Sequence, residues 1–114
     1  MGLSTVSEPT QTSRSTIARL KSELGYTQAG AQLVLHDLEE SDPRIQSAFH
    51  EWLRSGALPA IVAEGYDVPR LMREHSMNII AALLTLDWLL REPQRAISSL
   101  RKGHDRLTGR ALKH

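Results

Sequence analysis

Residues 77–90 read MNIIAALLTLDWLL, and this stretch decides the fold because almost every position in it is apolar. The strong helix formers Leu, Met and Ala dominate it, and neither Gly nor Pro interrupts it. Asp67 is a suitable N-cap upstream, and Pro93 ends the helix downstream. The sequence therefore predicts one long apolar helix over about 68–91.

A helix that is apolar nearly all round has to be enclosed, either by its own chain or by a partner. A membrane-spanning helix needs about 20 apolar residues. This run is shorter and contains Asn78, Thr85 and Asp87, so no membrane association is expected. The apolar helix is instead predicted to lie at the centre of a helical bundle.

The rest of the chain shows helical periodicity between short connections marked by Gly and Pro. No segment alternates apolar and polar residues over the length of a strand, so no sheet is expected. The fold class is predicted to be all-α, a compact bundle of five or six helices around the central helix. The other helices are expected at 15–24, at 28–41 with Thr27 as cap, at 43–55 after Asp42-Pro43, at 59–64, and from Pro93 onward.

Composition predicts the limits of the folded part. Residues 1–13 are rich in Ser and Thr and are expected to be disordered, because they cannot bury enough apolar surface to offset their ordering entropy. A single helical domain is predicted over 14–107, and a flexible basic tail over 108–114. A length of 114 residues suits one domain with one modest core.

Several classes of function are disfavoured. The chain has no Cys, which excludes disulfides and thiolate sites, and its start lacks a secretory signal, so a soluble cytoplasmic protein is expected. No phosphate-binding loop, nucleophile elbow or zinc motif is present. His36, Asp37, Glu39 and Glu40 share one helix and are interpreted as a solvated acidic face. No catalytic residue, cofactor or metal is predicted, and a small helical enzyme or metal protein is the third interpretation.

Residues 19–28, RLKSELGYTQ, resemble the opening of a phage-repressor-type helix-turn-helix, in which a first helix ends in Leu-Gly-x-Thr-Gln. In that family a recognition helix follows soon afterwards. Here the following helix runs into the acidic segment HDLEE at 36–40, which phosphates would repel. The chain is therefore not assigned to that family.

The C-terminal segment 91–114 is basic, whereas the whole chain has a net charge of only +1. Such asymmetry is typical of a surface for nucleic acid or for an acidic partner, although basic residues also solubilise helix ends. A DNA-binding regulator that uses this segment is the second interpretation. Its candidate contact residues are Arg95, Arg101, Lys102, Arg106 and Arg110.

The favoured interpretation is a non-enzymatic protein-interaction module of regulatory or adaptor type, which binds itself and another protein. The apolar helix has more hydrophobic perimeter than short amphipathic neighbours cover, and this excess predicts a homodimer. Asn78 is the only Asn in the chain; it is expected either to fix the register of that interface or to bond near the helix start. The candidate interface residues are Met77, Asn78, Ile80, Leu84 and Trp88.

Overall fold

The computed structural model describes the backbone of residues 11–112 and the side chains of residues 13–103. Within this range the chain forms six helices and one short hairpin, so the predicted all-α class is confirmed. It divides into an N-terminal unit, residues 1–39, and a C-terminal unit, residues 40–114. The elements are α1 (Gln11–Leu24), α2 (Gln28–Glu39), α3 (Pro43–Ser55), β1 (Val62–Ala63), β2 (Tyr66–Asp67), α4 (Val68–His75), α5 (Ile79–Arg91) and α6 (Pro93–Leu112).

In the N-terminal unit, α1 and α2 pack against each other and are joined by a turn of three residues. Gly25 ends α1 with a φ of +75°, a conformation that Gly adopts without a steric penalty. Thr27 caps α2, because its hydroxyl accepts the N–H of Gly30 at 3.0 Å. The predicted boundary between these two helices is therefore confirmed.

Helix α3 is the first helix of the C-terminal unit, and residues with strong capping preferences lie at both of its ends. The Asp42 carboxylate accepts the N–H of Arg44 at 2.9 Å, and Pro43 occupies the first turn. Gly56 adopts a φ of +76° and donates its N–H to the carbonyl of Trp52 at 2.8 Å. Four of the five apolar side chains at helical spacing in α3 are buried, namely Ile45, Ala48, Phe49 and Trp52, and the fifth, Leu53, is half-buried.

The apolar region is not one helix, so the prediction of an uninterrupted helix over about 68–91 is wrong in this detail. Helix α4 ends at Ser76, which lies in the left-handed region with φ 54° and ψ 38°. Asn78 then caps α5, since its side-chain oxygen accepts the N–H of Ala81 at 2.9 Å. Short polar side chains favour caps over helix interiors, and two of them within three residues outweigh the helix propensity of their neighbours.

Helix α5 nevertheless forms the centre of the C-terminal unit. It packs against α3, α4, α6 and both strands. Ile80, Leu83 and Leu86 are completely buried on it. The helix at the centre of this unit therefore has 13 residues and lies within the apolar stretch of the sequence.

A hairpin replaces the short helix expected at 59–64. Strands β1 and β2 are antiparallel, and Ala63 is paired with Tyr66. Glu64 and Gly65 between them have φ values of 53° and 81°. Two consecutive positive φ values are what a type I′ turn requires and what a right-handed helix excludes. The expectation of no sheet is therefore corrected by this one strand pair.

Arg70 holds the hairpin against α4. Its guanidinium carbon lies 4.2 Å from the ring centroid of Tyr66, and its Nη1 donates to the carbonyl of Gly65 at 3.0 Å. Its Nε also donates to Glu74, one turn along α4, at 3.1 Å. One side chain thus binds the turn, the second strand and the helix that follows.

The predicted domain limits stay predictions. Residues 1–10 and 113–114, which fall in the predicted disordered segment and basic tail, lie outside the described residues. Helix α1 begins at Gln11 and α6 extends to Leu112. No helix in the described part of the chain combines the length and the apolar composition that crossing a bilayer requires.

Candidate interaction surface

Helix α5 has a buried side and an open side. On the open side Ala81, Leu84 and Thr85 are half-buried, and the side chain of Trp88 is 36% exposed. The spacing of these residues by three and four places them on one face. A Trp at the surface of the most apolar helix is the main departure from an otherwise enclosed core.

Two clefts meet at Trp88, between α5 and α6, and we call them together the Trp88 groove. The first has a volume of about 480 Å³ and the second of about 360 Å³. The first is lined by Trp88, Gln94, Arg95, Ser98, Ser99 and Lys102. The second is lined by Trp88 and Ser99 together with His75, Met77, Thr85, Leu100 and Gly103.

Small residues of α6 keep the Trp88 groove open. Ser98 and Ser99 have short side chains. Gly103 faces open space, since no atom lies within 4 Å of the position that a Cβ would occupy there. On the α5 side, the Thr85 hydroxyl donates to the carbonyl of Ala81 at 2.7 Å and lies 3.4 Å from Sδ of Met77. The groove thus has an aromatic and thioether wall facing a wall of small side chains.

The charge along the Trp88 groove is positive. Arg95 and Lys102 are exposed and line the first cleft. Arg95 lies 3.0 Å from Glu92, but both side chains are solvated, and such a pair contributes little. Among the residues that the structure describes, no carboxylate lines either cleft. A ligand for this groove would therefore gain from negative charge.

The predicted interface residues do not form one surface. Met77 and Trp88 line the Trp88 groove, and Leu84 lies beside Trp88 on the open side of α5. Asn78 is the cap of α5, so its role lies at the helix start. Ile80 is 0% exposed, so its inclusion in a shared face is corrected: it belongs to the core of its own chain.

The predicted basic residues are spread along α6. Arg95 and Lys102 line the Trp88 groove, and Arg101 is exposed about a third of a turn away from them. Arg106 and Arg110 also fall within α6, and their side chains lie outside the described ones. At 3.6 residues per turn, four of the five positions follow one side of the helix: 95, 102, 106 and 110.

A third cleft, of about 500 Å³, lies between α3 and the extended segment before β1. Pro43, Ala48, Pro59 and Ile61 supply its apolar lining. Its charged members, Arg44 and Glu51, already form ion pairs with neighbours on the same helix or its cap. Nothing in this lining selects a particular ligand.

The titratable groups have structural roles where their environment is known. A hydrogen bond from Arg44 lowers the pKa of Asp42, and one from Arg70 lowers the pKa of Glu74. Within the described residues no group of three His, Asp or Glu side chains comes together as a metal site. The described buried side-chain polar atoms all have hydrogen-bond partners. No general acid or base is singled out by these environments.

Sequence reasoning missed the small residues of the groove. Ser99 and Gly103 are one turn apart on α6, and Ser98 and Ser99 form a pair of adjacent small residues. Two small residues one turn apart, close in sequence to a Trp on the preceding helix, are the signal that could have indicated a groove.

Comparison of the chain with protein-family models, with curated protein sequences and with solved structures gives no match.

Proposed function

We propose that this chain is a non-enzymatic protein-interaction module that takes an acidic amphipathic helix of a partner protein into the Trp88 groove. The observation that carries the proposal is the position of Trp88, 36% exposed between two clefts on a helix that is otherwise largely enclosed. The identity of the partner protein would decide whether the module acts as a regulator or as an adaptor.

The apolar part of the Trp88 groove supports a helix as the ligand. Trp is enriched among the residues that dominate binding energy, because its large rigid surface loses little entropy when it is covered. Met77 adds a polarisable side chain that adapts to different shapes. A groove between two helices, with small residues along one wall, suits an amphipathic helix that inserts its apolar side chains.

The charge of the Trp88 groove supports an acidic ligand. Arg95 and Lys102 are about two turns apart on α6, which is about 10 Å along the helix axis. They can pair with carboxylates on either side of an inserted apolar residue. Complementary charge raises the association rate and rejects basic competitors more than it adds affinity.

The direct test uses a synthetic amphipathic helix with Leu on one face and Glu on the other. Trp52→Phe leaves Trp88 as the only indole, since the chain has two Trp. We expect this peptide to shift the Trp88 fluorescence to shorter wavelength and to bind less tightly as salt is added. The matched peptide with Lys in place of Glu should not bind. Equal binding of both peptides, or of neither, would refute the proposal.

A second candidate function is nucleic-acid binding, which one observation favours. Positions 95, 102, 106 and 110 follow one side of α6 over about four turns, and all four carry Arg or Lys. A linear array of cations suits a phosphate backbone. Four phosphate contacts imply a log–log dependence of affinity on salt with a slope of about −3.6 for duplex DNA. No binding at about 50 mM salt, where such contacts are strongest, would remove this candidate.

A further inference from the structure

Helix α2 carries an exposed apolar side chain on an acidic helix. Leu33 is 65% exposed. The helix contains Asp37 and Glu39 but neither Lys nor Arg. Ala29, Leu33 and Asp37 are four residues apart, and all three are exposed, so they form one stripe. A single exposed Leu is common in soluble proteins. Leu33, however, lies on an acidic helix, and the Trp88 groove is proposed to bind an acidic amphipathic helix.

We infer that α2 of one copy of this chain occupies the Trp88 groove of a second copy. The inference rests on the proposed function and names the partner as the chain itself. Leu33 packs on the indole of Trp88, while Asp37 lies one turn, about 6 Å, further along α2. From there its carboxylate reaches Arg95 or Lys102, which stand on the same side of the groove.

The contact joins two different surfaces of the chain, the α2 stripe of one copy and the Trp88 groove of the other. Each copy offers one α2 stripe and one Trp88 groove. Two reciprocal contacts close a dimer, whereas a series of single contacts makes an open chain. This arrangement differs from a dimer through the open side of α5, in which Trp88 would meet its own counterpart and α2 would play no part.

Mixing two full-length variants tests the inference. Leu33→Gln removes the apolar anchor and keeps the groove; Trp88→Ala removes the groove wall and keeps α2. Each variant alone is expected to sediment at the 12.7 kDa of the single chain at tens of micromolar, where the parent is larger. Loss of a central anchor should weaken association by about tenfold or more. An equimolar mixture should regain a one-to-one complex, because one intact stripe meets one intact groove.

Leu58→Gln is the matched control. Leu58 is also an exposed leucine, at 48%, but it lies in the segment between α3 and β1 and belongs to neither α2 nor the Trp88 groove. Association of this variant should equal that of the parent. Far-ultraviolet circular dichroism confirms that each variant is folded. If Trp88→Ala does not fold, Lys102→Glu replaces it, because Lys102 is exposed and its substitution leaves the core intact.

Charge reversal gives an independent measurement. Asp37→Lys opposes like charges across the contact, and Lys102→Glu does the same from the other side. Each variant alone should associate more weakly than the parent by about tenfold, and their mixture should recover, because both kinds of contact then pair opposite charges. Weaker self-association of Lys102→Glu is the result that net charge does not produce, because the net charge of −1 in this variant has the same magnitude as the +1 of the parent.

The outcomes separate the inference from the proposed function. A monomeric parent at these concentrations overturns the inference, and so does association that Leu33→Gln leaves unchanged. Binding of the acidic synthetic helix in either case leaves the proposed function standing with another partner. Failure of that peptide to bind, together with a monomeric parent, removes both.

Discussion

The carboxylate of Asp87 accepts a hydrogen bond from the backbone N–H of Asp42 at 2.8 Å and so joins α5 to the start of α3 across 45 residues of sequence. The same oxygen lies 3.1 Å from Nε of Arg91, whose Nη2 donates to the carbonyl of Glu40 at 2.6 Å. The Asp87 side chain is only 15% exposed. The presence of Asp87 in an apolar helix is explained by its role as hydrogen-bond acceptor for the backbone N–H of Asp42 and for the side chain of Arg91.

Asp87→Ala is expected to destabilise the protein by about 2 kcal/mol, because it leaves the part-buried N–H of Asp42 and the Nε–H of Arg91 without their acceptor. Asp87→Asn keeps an oxygen for the N–H of Asp42 and should lose less. Glu51→Gln, in an exposed pair with Arg54, is the control and should change stability by less than about 0.5 kcal/mol. Urea denaturation measures all three. Equal effects of Asp87→Ala and Glu51→Gln would contradict this role of Asp87.

The break between α4 and α5 gives a pair of opposite effects. Asn78→Ala removes the cap of α5 and should reduce the free energy of unfolding by about 1 kcal/mol. Ser76→Gly should raise it by up to about 1 kcal/mol, because Gly adopts the left-handed conformation of this position without strain. Thermal unfolding measures both. A continuous helix through 68–91 would reverse the second effect, since Gly within a helix is unfavourable.

Two adjacent leucines of α5 should respond differently to a charge. Leu83 is completely buried, and Leu83→Asp is expected to abolish folding, because a buried unpaired carboxylate costs several kcal/mol. Leu84 is half-buried, so Leu84→Asp should fold with reduced stability. The sequence alone placed Leu84 on an enclosed face. Circular dichroism and urea titration compare the two, and loss of folding in both variants would show that the open side of α5 is covered.

Asp42 predicts a pH dependence. Its hydrogen bond with Arg44 lowers its pKa in the folded protein below the ordinary value of 3.8. A carboxyl group with a lowered pKa contributes stability above its ordinary pKa, and this contribution disappears as the pH falls through the lowered value. Asp42→Asn keeps a good N-cap but has no charge. The parent should therefore lose more stability than this variant between neutral pH and the region below 3.8, as urea midpoints at several pH values will show.

Much of the architecture could be predicted, because caps and periodicity are local. Asp42-Pro43 and Thr27 each act within four residues, and each prediction is confirmed. The errors arose where two local preferences competed. Residues 59–64 have helix-compatible composition, yet the positive φ values at Glu64 and Gly65 set a turn. Around Asn78, capping competes with the propensity of the leucines that follow, and capping prevails.

The candidate surface was harder to predict for a different reason. Periodicity tells which side chains share a face of α5, but the neighbours that cover that face come from other elements. Ile80 and Trp88 both belong to the apolar stretch, and only packing makes one fully buried and the other 36% exposed. The small residues of α6 line a groove only because Trp88 of α5 lies opposite them. Such cross-element relationships are not contained in any single window of sequence.

The Arg70 contacts bear on the order in which the chain folds. They join Arg70 to Gly65, Tyr66 and Glu74, all within five residues of it. The hydrogen bond between Asp42 and Asp87 instead closes a loop of 45 residues. The entropic cost of closing this loop exceeds that of a five-residue loop by about 2 kcal/mol of free energy. The hairpin and α4 therefore have the shortest route to their native contacts, and we expect the meeting of α3 with α5 to be the slower event.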